Sequence, residues 1–475
     1  MGAMEFPMWI GGEPRKASAQ RQILIPYDGS PFATVYEAGA EEIEAAVEAA
    51  GKAAPVMREL TLAERAAILR RAHASLAAAR EDFAQTIASE SGKPLSEARA
   101  EADRAASTLL FSAEEAHRVC GEVVPMEAAP AGKGRWAMTI REPLGVIAAI
   151  TPFNFPLNLS MHKIGPAIAA GNAVVHKPAS TTPVSALKLA AILADSGLPP
   201  GGLNVVTGPG GVIGDLLSRH PRIAMVTFTG SPEVGVRIRS LAGLKRVTLE
   251  LGSNSAVIVA PSADIGDTVS RCLTGAFANS GQVCISVQRI YAHRSVFEDF
   301  VARLAEGAKQ LRIGHPLDPA TAVSSLVTEA EAVRVETWIR EAVDAGARLV
   351  TGGERRRATV TPAVLTGVPP QVRISCREAF GPVVAVNPYE TLDEAIESVN
   401  ASEYGLQAGI FTKDLSEAFR AARRVHVGGF LINDVPQFRV DQMPYGGVKL
   451  SGVGREGPKY AIEEMTEVKL VSWRP

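Results

Sequence analysis

From residue 145 to residue 251 the chain alternates short β-branched runs with helical stretches, and this alternation limits its fold more than any other feature. Candidate strands are 145–150, 173–176, 203–207, 225–229 and 246–251, with candidate helices at 160–170, 183–196, 212–218 and 233–241. Strand–helix–strand units of this length build a parallel sheet with helices on both faces. A second alternating stretch covers 256–432. Its candidate strands are 256–260, 289–293, 383–388 and 408–411, and its candidate helices are 265–278, 297–311, 329–344, 392–400 and 415–425. The expected fold class is α/β, with two α/β domains meeting near residues 251–255. Residues 40–118 read as helices, interrupted at Ser91-Gly92-Lys93-Pro94, with Pro94 opening a new helix through Leu110. Residues 133–141 and 468–473 read as extended structure outside both sheets.

A length of 475 residues suits two or three domains and a large core. The 46% hydrophobic and 21% charged content is ordinary for a soluble globular chain. A net charge of −2 gives no electrostatic reason to expect nucleic acid or an anionic membrane as partner. The four cysteines (Cys120, Cys272, Cys284 and Cys376) form no Cys-x-x-Cys pair and are expected to be reduced, hence a cytoplasmic protein. The eight histidines form no His-Glu-x-x-His pattern, so no metal site is expected. No apolar run approaches the roughly 20 residues of a membrane helix, and the N-terminus lacks the features of a signal peptide.

Two acidic and nucleophilic groups stand beside glycines. Cys284 lies in Asn279-Ser280-Gly281-Gln282-Val283-Cys284, after the apolar run 265–278. Most cysteines are small buried hydrophobes. This setting instead suits a nucleophile, and even the ~3% of an unperturbed thiol that is ionised at pH 7 attacks carbonyl carbon strongly. Glu250, in Leu249-Glu250-Leu251-Gly252, sits inside an apolar run, where burial raises a carboxylate into the range of a useful base; a structural ion pair is the alternative. Asn154, in Thr151-Pro152-Phe153-Asn154-Phe155-Pro156, is held between prolines and suits either an oxyanion donor or a turn cap. Lys177 ends a candidate strand, where α/β sheets bind ligands. Gly208-Pro209-Gly210-Gly211-Val212-Ile213-Gly214 nearly fits Gly-x-Gly-x-x-Gly, and Phe228-Thr229-Gly230-Ser231 follows a strand and opens a helix whose free N–H groups suit a phosphate.

These segments, with Glu378-Ala379-Phe380-Gly381-Pro382 and Pro444-Tyr445-Gly446-Gly447-Val448-Lys449, resemble the aldehyde dehydrogenase superfamily in family order over nearly the whole chain. The motif spelling looks most like members acting on lactaldehyde, glyceraldehyde 3-phosphate or succinic semialdehyde. The resemblance implies that Cys284 is the nucleophile and Glu250 the general base, that Asn154 and the Cys284 N–H form the oxyanion hole, and that Lys163 stands near the active site. It places Thr151, Pro152, Phe153, Lys177, Ser180, Gly210, Gly214, Phe228, Gly230, Ser231, Leu251, Gly252, Glu378 and Phe380 along the cofactor. Phe153, His162, Val283, Ile285, Phe438 and Arg439 fall where relatives line the substrate pocket, and Arg439 is open to pairing with Asp441 or another loop residue. The implied organisation is a Rossmann-like cofactor domain over 1–122 and 142–251, a catalytic domain over 252–448, and oligomerisation segments over 123–141 and 449–475 that build a homodimer or homotetramer.

The implied reaction is oxidation of a small polar aldehyde to its acid through a cysteine thioester, with NADP or NAD as cofactor. Many NAD-preferring relatives carry a glutamate where this chain has Ser180, and a serine accepts a 2′-phosphate that a carboxylate repels; NADP is therefore expected to be accepted, with NAD still usable. A CoA-acylating semialdehyde dehydrogenase is the alternative enzyme, disfavoured by the presence of Glu250. A hydrolase using the same cysteine and a catalytically silent protein of this fold are the alternatives of other classes.

Overall fold

The computed structural model describes residues 4–475 and contains both expected sheets; residues 1–3 of the expected 1–122 segment lie outside the described residues. The first sheet has eight strands in the order Gly452–Val453, Arg246–Glu250, Met225–Thr229, Val146–Ile150, Ala173–Lys177, Leu203–Val205, Met8–Ile10 and Glu13–Arg15. The five central strands are parallel. Following the chain, they step outward from Val146–Ile150 to Leu203–Val205, then resume on the other side at Met225–Thr229. Strand order thus reverses between Val146–Ile150 and Met225–Thr229. In open α/β sheets, ligands bind beyond the carboxyl ends of the strands at such a point.

Helices α1 (Ala40–Glu59), α2 (Leu62–Ala78), α3 (Arg80–Ser91) and α4 (Leu95–Ala116) precede this sheet, and α5 (Asn158–Ala170), α6 (Val184–Asp195), α7 (Gly210–Arg219) and α8 (Pro232–Ala242) connect its strands. Local chemistry sets their ends. Thr61 and Glu64 form a reciprocal cap at the start of α2, Gly92 closes α3 in the left-handed region at φ 76°, and Pro94 caps α4. α1 packs on the sheet, while α2, α4 and α5 pack on one another. Every residue of α5 is buried.

The second sheet has seven strands, from Arg348–Thr351 through Ala363–Thr366, Val383–Tyr389, Arg289–His293, Ala256–Val259 and Gln407–Phe411 to Gly429–Ile432. All but the first are parallel. Helix α9 (Ile265–Phe277) follows Ala256–Val259 and leads to the cysteine segment.

Two features depart from the sequence pattern. Met4–Phe6, Gln20–Leu24 and Pro31–Tyr36 form a separate three-stranded sheet; these strands are short and half exposed, so their apolar alternation is faint. The closing run expected as extended structure outside both sheets is Thr466–Trp473, which pairs antiparallel with Trp136–Pro143 along its full length in a sheet of its own. Earlier in the same tail, Gly452–Val453 joins the edge of the first sheet beside Leu249 and Glu250, which the sequence pattern does not foretell. A two-residue strand that begins with glycine and is followed by another carries no period to read.

Candidate active site

Three strand ends of the first sheet and two loops of the second domain converge on a single cleft. Pro152, Phe153 and Asn154 follow Val146–Ile150, Gly230 and Ser231 follow Met225–Thr229, and Glu250, Leu251 and Gly252 end Arg246–Glu250. Opposite them stand Cys284, Glu378 and Phe380, and the cleft encloses about 160 Å³.

The cysteine loop is built under strain. After α9, Asn279 (φ 48°), Ser280 (φ 54°) and Gly281 (φ 73°) are all left-handed. For residues with a Cβ this costs about 1–2 kcal/mol each. At Gly281 a side chain is impossible, because a Cβ would lie 2.0 Å from the Gly381 carbonyl oxygen. Hydrogen bonds offset the strain. The Asn279 N–H donates to Glu97 (2.6 Å), and the Asn279 amide donates to the carbonyls of Asn154 and Gln282 (3.2 Å each). The Asn154 amide donates to the Gln282 carbonyl at 3.0 Å. An amide nitrogen carries two hydrogens, so one remains for another acceptor.

Beneath both loops lies a buried charge network. Lys93 pairs with Glu101 in full burial, and Glu101 accepts the backbone N–H of Leu157 (3.0 Å) and Asn158 (3.2 Å) at the start of α5. Together, Glu97 and Glu101 on α4 tie the asparagine loop to the cysteine loop. Burial pushes Glu97 up to about 7, opposed by Lys93 and the Asn279 N–H.

Glu250 is buried, and neither carboxylate oxygen has a hydrogen-bond partner among the described residues. Burial, then the charge of Glu456, pushes its carboxyl well above the ordinary range, against the pull of Lys163, Arg439 and Arg455. Glu456 behaves in the opposite way. Burial opposes its charge, but Lys163 (2.7 Å) and Arg439 (3.3 Å) outweigh that and hold it below the ordinary range. Two neighbouring carboxyls pushed apart in this way divide one proton between unequal sites. Lys163 also donates to Thr227 at 3.2 Å.

Cys284 is half-buried, with Sγ 2.9 Å from the Tyr445 hydroxyl. Burial pushes its thiol up to about 11; the Tyr445 hydrogen bond pulls it down, Glu378 and Glu250 raise it further, and Arg439 lowers it.

The other wall of the cleft is mostly backbone. Ser231 caps α8, accepting from the Val234 N–H at 3.4 Å, and Pro232 follows at the first helical position. Gly230 has no room for a Cβ, which would lie 2.4 Å from the Phe228 ring. A Cβ on Gly252 would lie 2.4 Å from a Glu378 carboxylate oxygen. Glu378 accepts from the Ser253 N–H (2.9 Å), and burial raises it to about 7. Phe380, itself left-handed at φ 46°, meets the Phe153 ring edge-on at 5.7 Å. Farther along, Lys177 is buried, and burial with the nearby Arg21 charge lowers it to about 8. Its Nζ lies 3.5 Å from where a Gly210 Cβ would be, the Ser180 hydroxyl donates to the Gly208 carbonyl (2.6 Å), and the space beside Gly214 is open. Thr151 is buried behind this wall, its N–H on the Lys177 carbonyl at 3.1 Å.

Such an arrangement of thiol, unpaired carboxyl and free amide donor beside a glycine-lined groove suits acyl chemistry coupled to a nucleotide. The aldehyde dehydrogenase family profile matches residues 14–471. The chain belongs to the aldehyde dehydrogenase family. It is 47% identical over 467 residues to a 3-sulfolactaldehyde dehydrogenase of Priestia aryabhattai, covering 98% of each chain. The crystal structure of aldehyde dehydrogenase 21 from Physcomitrella patens, in complex with the reaction product succinate, superposes with a TM-score of 0.97 at 37% identity, covering 100% of this chain and 99% of that one. The glyceraldehyde-3-phosphate dehydrogenase GapN of Methanocaldococcus jannaschii, complexed with NADP, superposes with a TM-score of 0.93 at 37% identity, covering 97% and 100%. This aldehyde dehydrogenase is thus an oxidoreductase of the α/β class, and among the described residues no helix is long and apolar enough to cross a membrane.

The expected substrate residues are placed unevenly. Val283 and Ile285 pack with Leu406 and Tyr445 beside Cys284. Phe153 lines the cleft, whereas Phe438 is 46% exposed. His162 does not line the cleft: it is fully buried on α5 and bonded through Nε2 to Asp441 at 3.0 Å. Asp441 is fixed in turn by Arg104 (2.8 Å) and Asn158 (3.1 Å). Arg439 therefore pairs with Glu456, not Asp441, and stacks over the Tyr445 ring at 3.7 Å; its Nε has no partner among the described residues.

Glu456, Tyr445 and the Lys93–Glu101 network were missed by motif reading. Glu456, in Gly454-Arg455-Glu456-Gly457, has a glycine beside it but lacks the apolar run that singled out Glu250. Tyr445 lay within a recognised motif, but its reach across 161 residues to Cys284 leaves no local trace.

Proposed function

We propose that this aldehyde dehydrogenase oxidises a small, polar or anionic aldehyde to its carboxylic acid through a thioester on Cys284. The observation that carries this reading is that Cys284, Glu250 and Asn154 share one cleft with Ser231 and Glu378. The Cys284 sulfur attacks the aldehyde carbon; the S–C bond forms, and the carbonyl pair moves onto oxygen. That oxyanion accepts the unused amide hydrogen of Asn154 and the Cys284 N–H, donors of a kind worth about 3–4 kcal/mol of barrier. The hydride acceptor is the chemistry that a bound nicotinamide dinucleotide supplies, and loss of the hydride leaves a thioester on Cys284. Glu250 then takes a proton from water, whose oxygen attacks the thioester; the S–C bond breaks, and the acid leaves. Only the ionised form of Glu250 can do this, so its raised pKa predicts deacylation that speeds as pH rises.

The groove fits such a dinucleotide. Close backbone approach at Gly230 and Gly252, the α8 N-terminus behind Ser231, and Glu378 and Lys177 as ribose partners support binding of either NAD or NADP. Lys177, beside Ser180 and lowered only to about 8, keeps its charge near neutrality for a 2′-phosphate. Arg439 is the candidate receptor for an anionic or hydroxylated end of the aldehyde, since it is buried, charged and incompletely bonded. The cofactor domain (1–122 and 142–251), the catalytic domain (252–448) and the pairing of Thr466–Trp473 with Trp136–Pro143 fit a homodimer or homotetramer assembled through that extended segment.

The test is a panel of short aldehydes bearing hydroxyl, carboxylate, phosphate or sulfonate groups, assayed with NAD and with NADP, and with and without CoA. The expected product is the free acid without CoA. A CoA requirement rejects hydrolysis by Glu250, and a hundredfold preference for NAD rejects the role given to Ser180.

A further inference from the structure

We propose that Tyr445 is a catalytic residue, whose phenol hydroxyl donates the hydrogen bond that stabilises Cys284 as a thiolate. The inference rests on the reading of Cys284 as nucleophile and adds a residue to it.

The hydroxyl lies 2.9 Å from Sγ, and Sγ is its one hydrogen-bond partner among the described residues. Tyr445 is 3% exposed, so no water shell competes for that hydroxyl. Its placement is fixed from two directions. Its own backbone is bridged in both directions to Glu456, with N–H donors at 3.0 and 2.7 Å. Its ring is covered by the Arg439 guanidinium, 3.7 Å from the centroid, and Arg439 is pinned by Glu456. The next residue, Gly446, sits so close to Glu250 that a Cβ there would lie 2.8 Å from Oε1. One dipeptide therefore abuts both the nucleophile and the unpaired carboxyl.

The direction of donation follows from chemistry. In the thiol form either atom could donate, but once the S–H proton has gone to solvent base, only the phenol still carries a hydrogen. Burial first, then the neighbouring Cys284, holds the Tyr445 hydroxyl well above the ordinary phenol range, so it keeps its proton while the thiol loses its own. The charged and titratable groups facing Cys284 are Tyr445, Glu378, Arg439 and Glu250. The two carboxyls oppose ionisation of the sulfur, Arg439 acts at longer range, and Tyr445 is the group in contact.

The experiment compares wild type with Tyr445→Phe, which keeps the ring on Arg439 and removes only the hydroxyl. Cys284 alkylation by iodoacetamide is followed from pH 6 to pH 10 by site-resolved mass spectrometry. The expected result is Cys284 alkylation about tenfold slower in the variant throughout this range, which lies below a wild-type midpoint held at about 11 and corresponds to raising that midpoint by about one unit. The rates of Cys120 and Cys376 stay in place, and kcat/KM for aldehyde falls with cofactor Kd unchanged. An unchanged Cys284 rate, or an equal slowing at Cys120 and Cys376, overturns the assignment of Tyr445. Cys284→Ala in parallel separates the two readings: if it retains aldehyde oxidation, the nucleophile itself is misassigned and the inference falls with it; if oxidation is lost while Tyr445→Phe leaves alkylation unmoved, only Tyr445 is wrong.

Discussion

The two walls of the cleft are made of different material. One is backbone: glycines at 230 and 252, a helix N-terminus behind Ser231, and strand ends bearing Lys177 and Glu250. The other is buried charge: Lys163, Glu456 and Arg439 on one side, and Lys93, Glu97 and Glu101 beneath. The backbone wall offers room and fixed dipoles and demands little of any single side chain. The charged wall is held by pairs whose loss strands a partner in low dielectric, at about 3–5 kcal/mol for a buried pair. A substitution along the groove of the first wall, away from Glu250 and Asn154, should therefore move binding, and one at those two residues or on the second wall should move rate or stability.

Four experiments press on that division, beginning with the largest effect. Cys284→Ala should lower aldehyde oxidation on the order of 10⁴-fold or more, with NADP affinity by fluorescence titration unchanged; a parallel loss of affinity would mean that the walls are not separable. Glu250→Gln should slow steady turnover about 10²–10⁴-fold, yet release one reduced cofactor per subunit in a rapid burst. Full steady turnover in that variant would remove Glu250 from the base role. Asn154→Ala should lose about 10²-fold in kcat at unchanged cofactor Kd. Ser180→Glu should act on binding alone, raising the NADP KM about tenfold or more through like-charge repulsion and leaving kcat with NAD in place.

A stability measurement sharpens the contrast further. Glu90 is buried against the Val184 and Ser185 N–H groups of α6, and burial raises it to about 7. A carboxyl whose folded pKa is raised contributes stability that is complete below its unfolded value near 4.5 and is lost as pH rises through about 7. The melting temperature of Glu90→Gln should thus decline less than that of wild type between pH 5 and pH 8, whereas activity changes little.

Legibility followed the same division. The backbone wall is local: each glycine, serine or lysine lies next to a strand whose β-branched run announces it, so the strand ends at Ile150, Lys177, Thr229 and Glu250 were readable within a residue or two. The charged wall is tertiary. Glu97 and Asn279 are 182 positions apart, and Lys163 and Glu456 are 293 apart; nothing in either neighbourhood names the other. His162 shows the failure most clearly. It occupies the expected stretch of α5, but a fully buried helix turns it to Asp441, which the chain alone could not partner with Arg104 and Asn158. The N-terminal strands were missed for a simpler reason, since three to six half-exposed residues hold too few apolar positions to show a period of two.

The left-handed run at Asn279, Ser280 and Gly281 sets a trade that engineers of this enzyme will meet. Glycine at 279 or 280 would relieve the backbone strain, but it would also delete the Asn279 amide bonds to the Asn154 and Gln282 carbonyls or the Ser280 bonds to Ser324. The sulfur would then be freer to wander from the Asn154 amide and the Glu250 carboxyl. Ease and aim are opposed within these few residues, so gains in thermal tolerance are better sought elsewhere in the molecule.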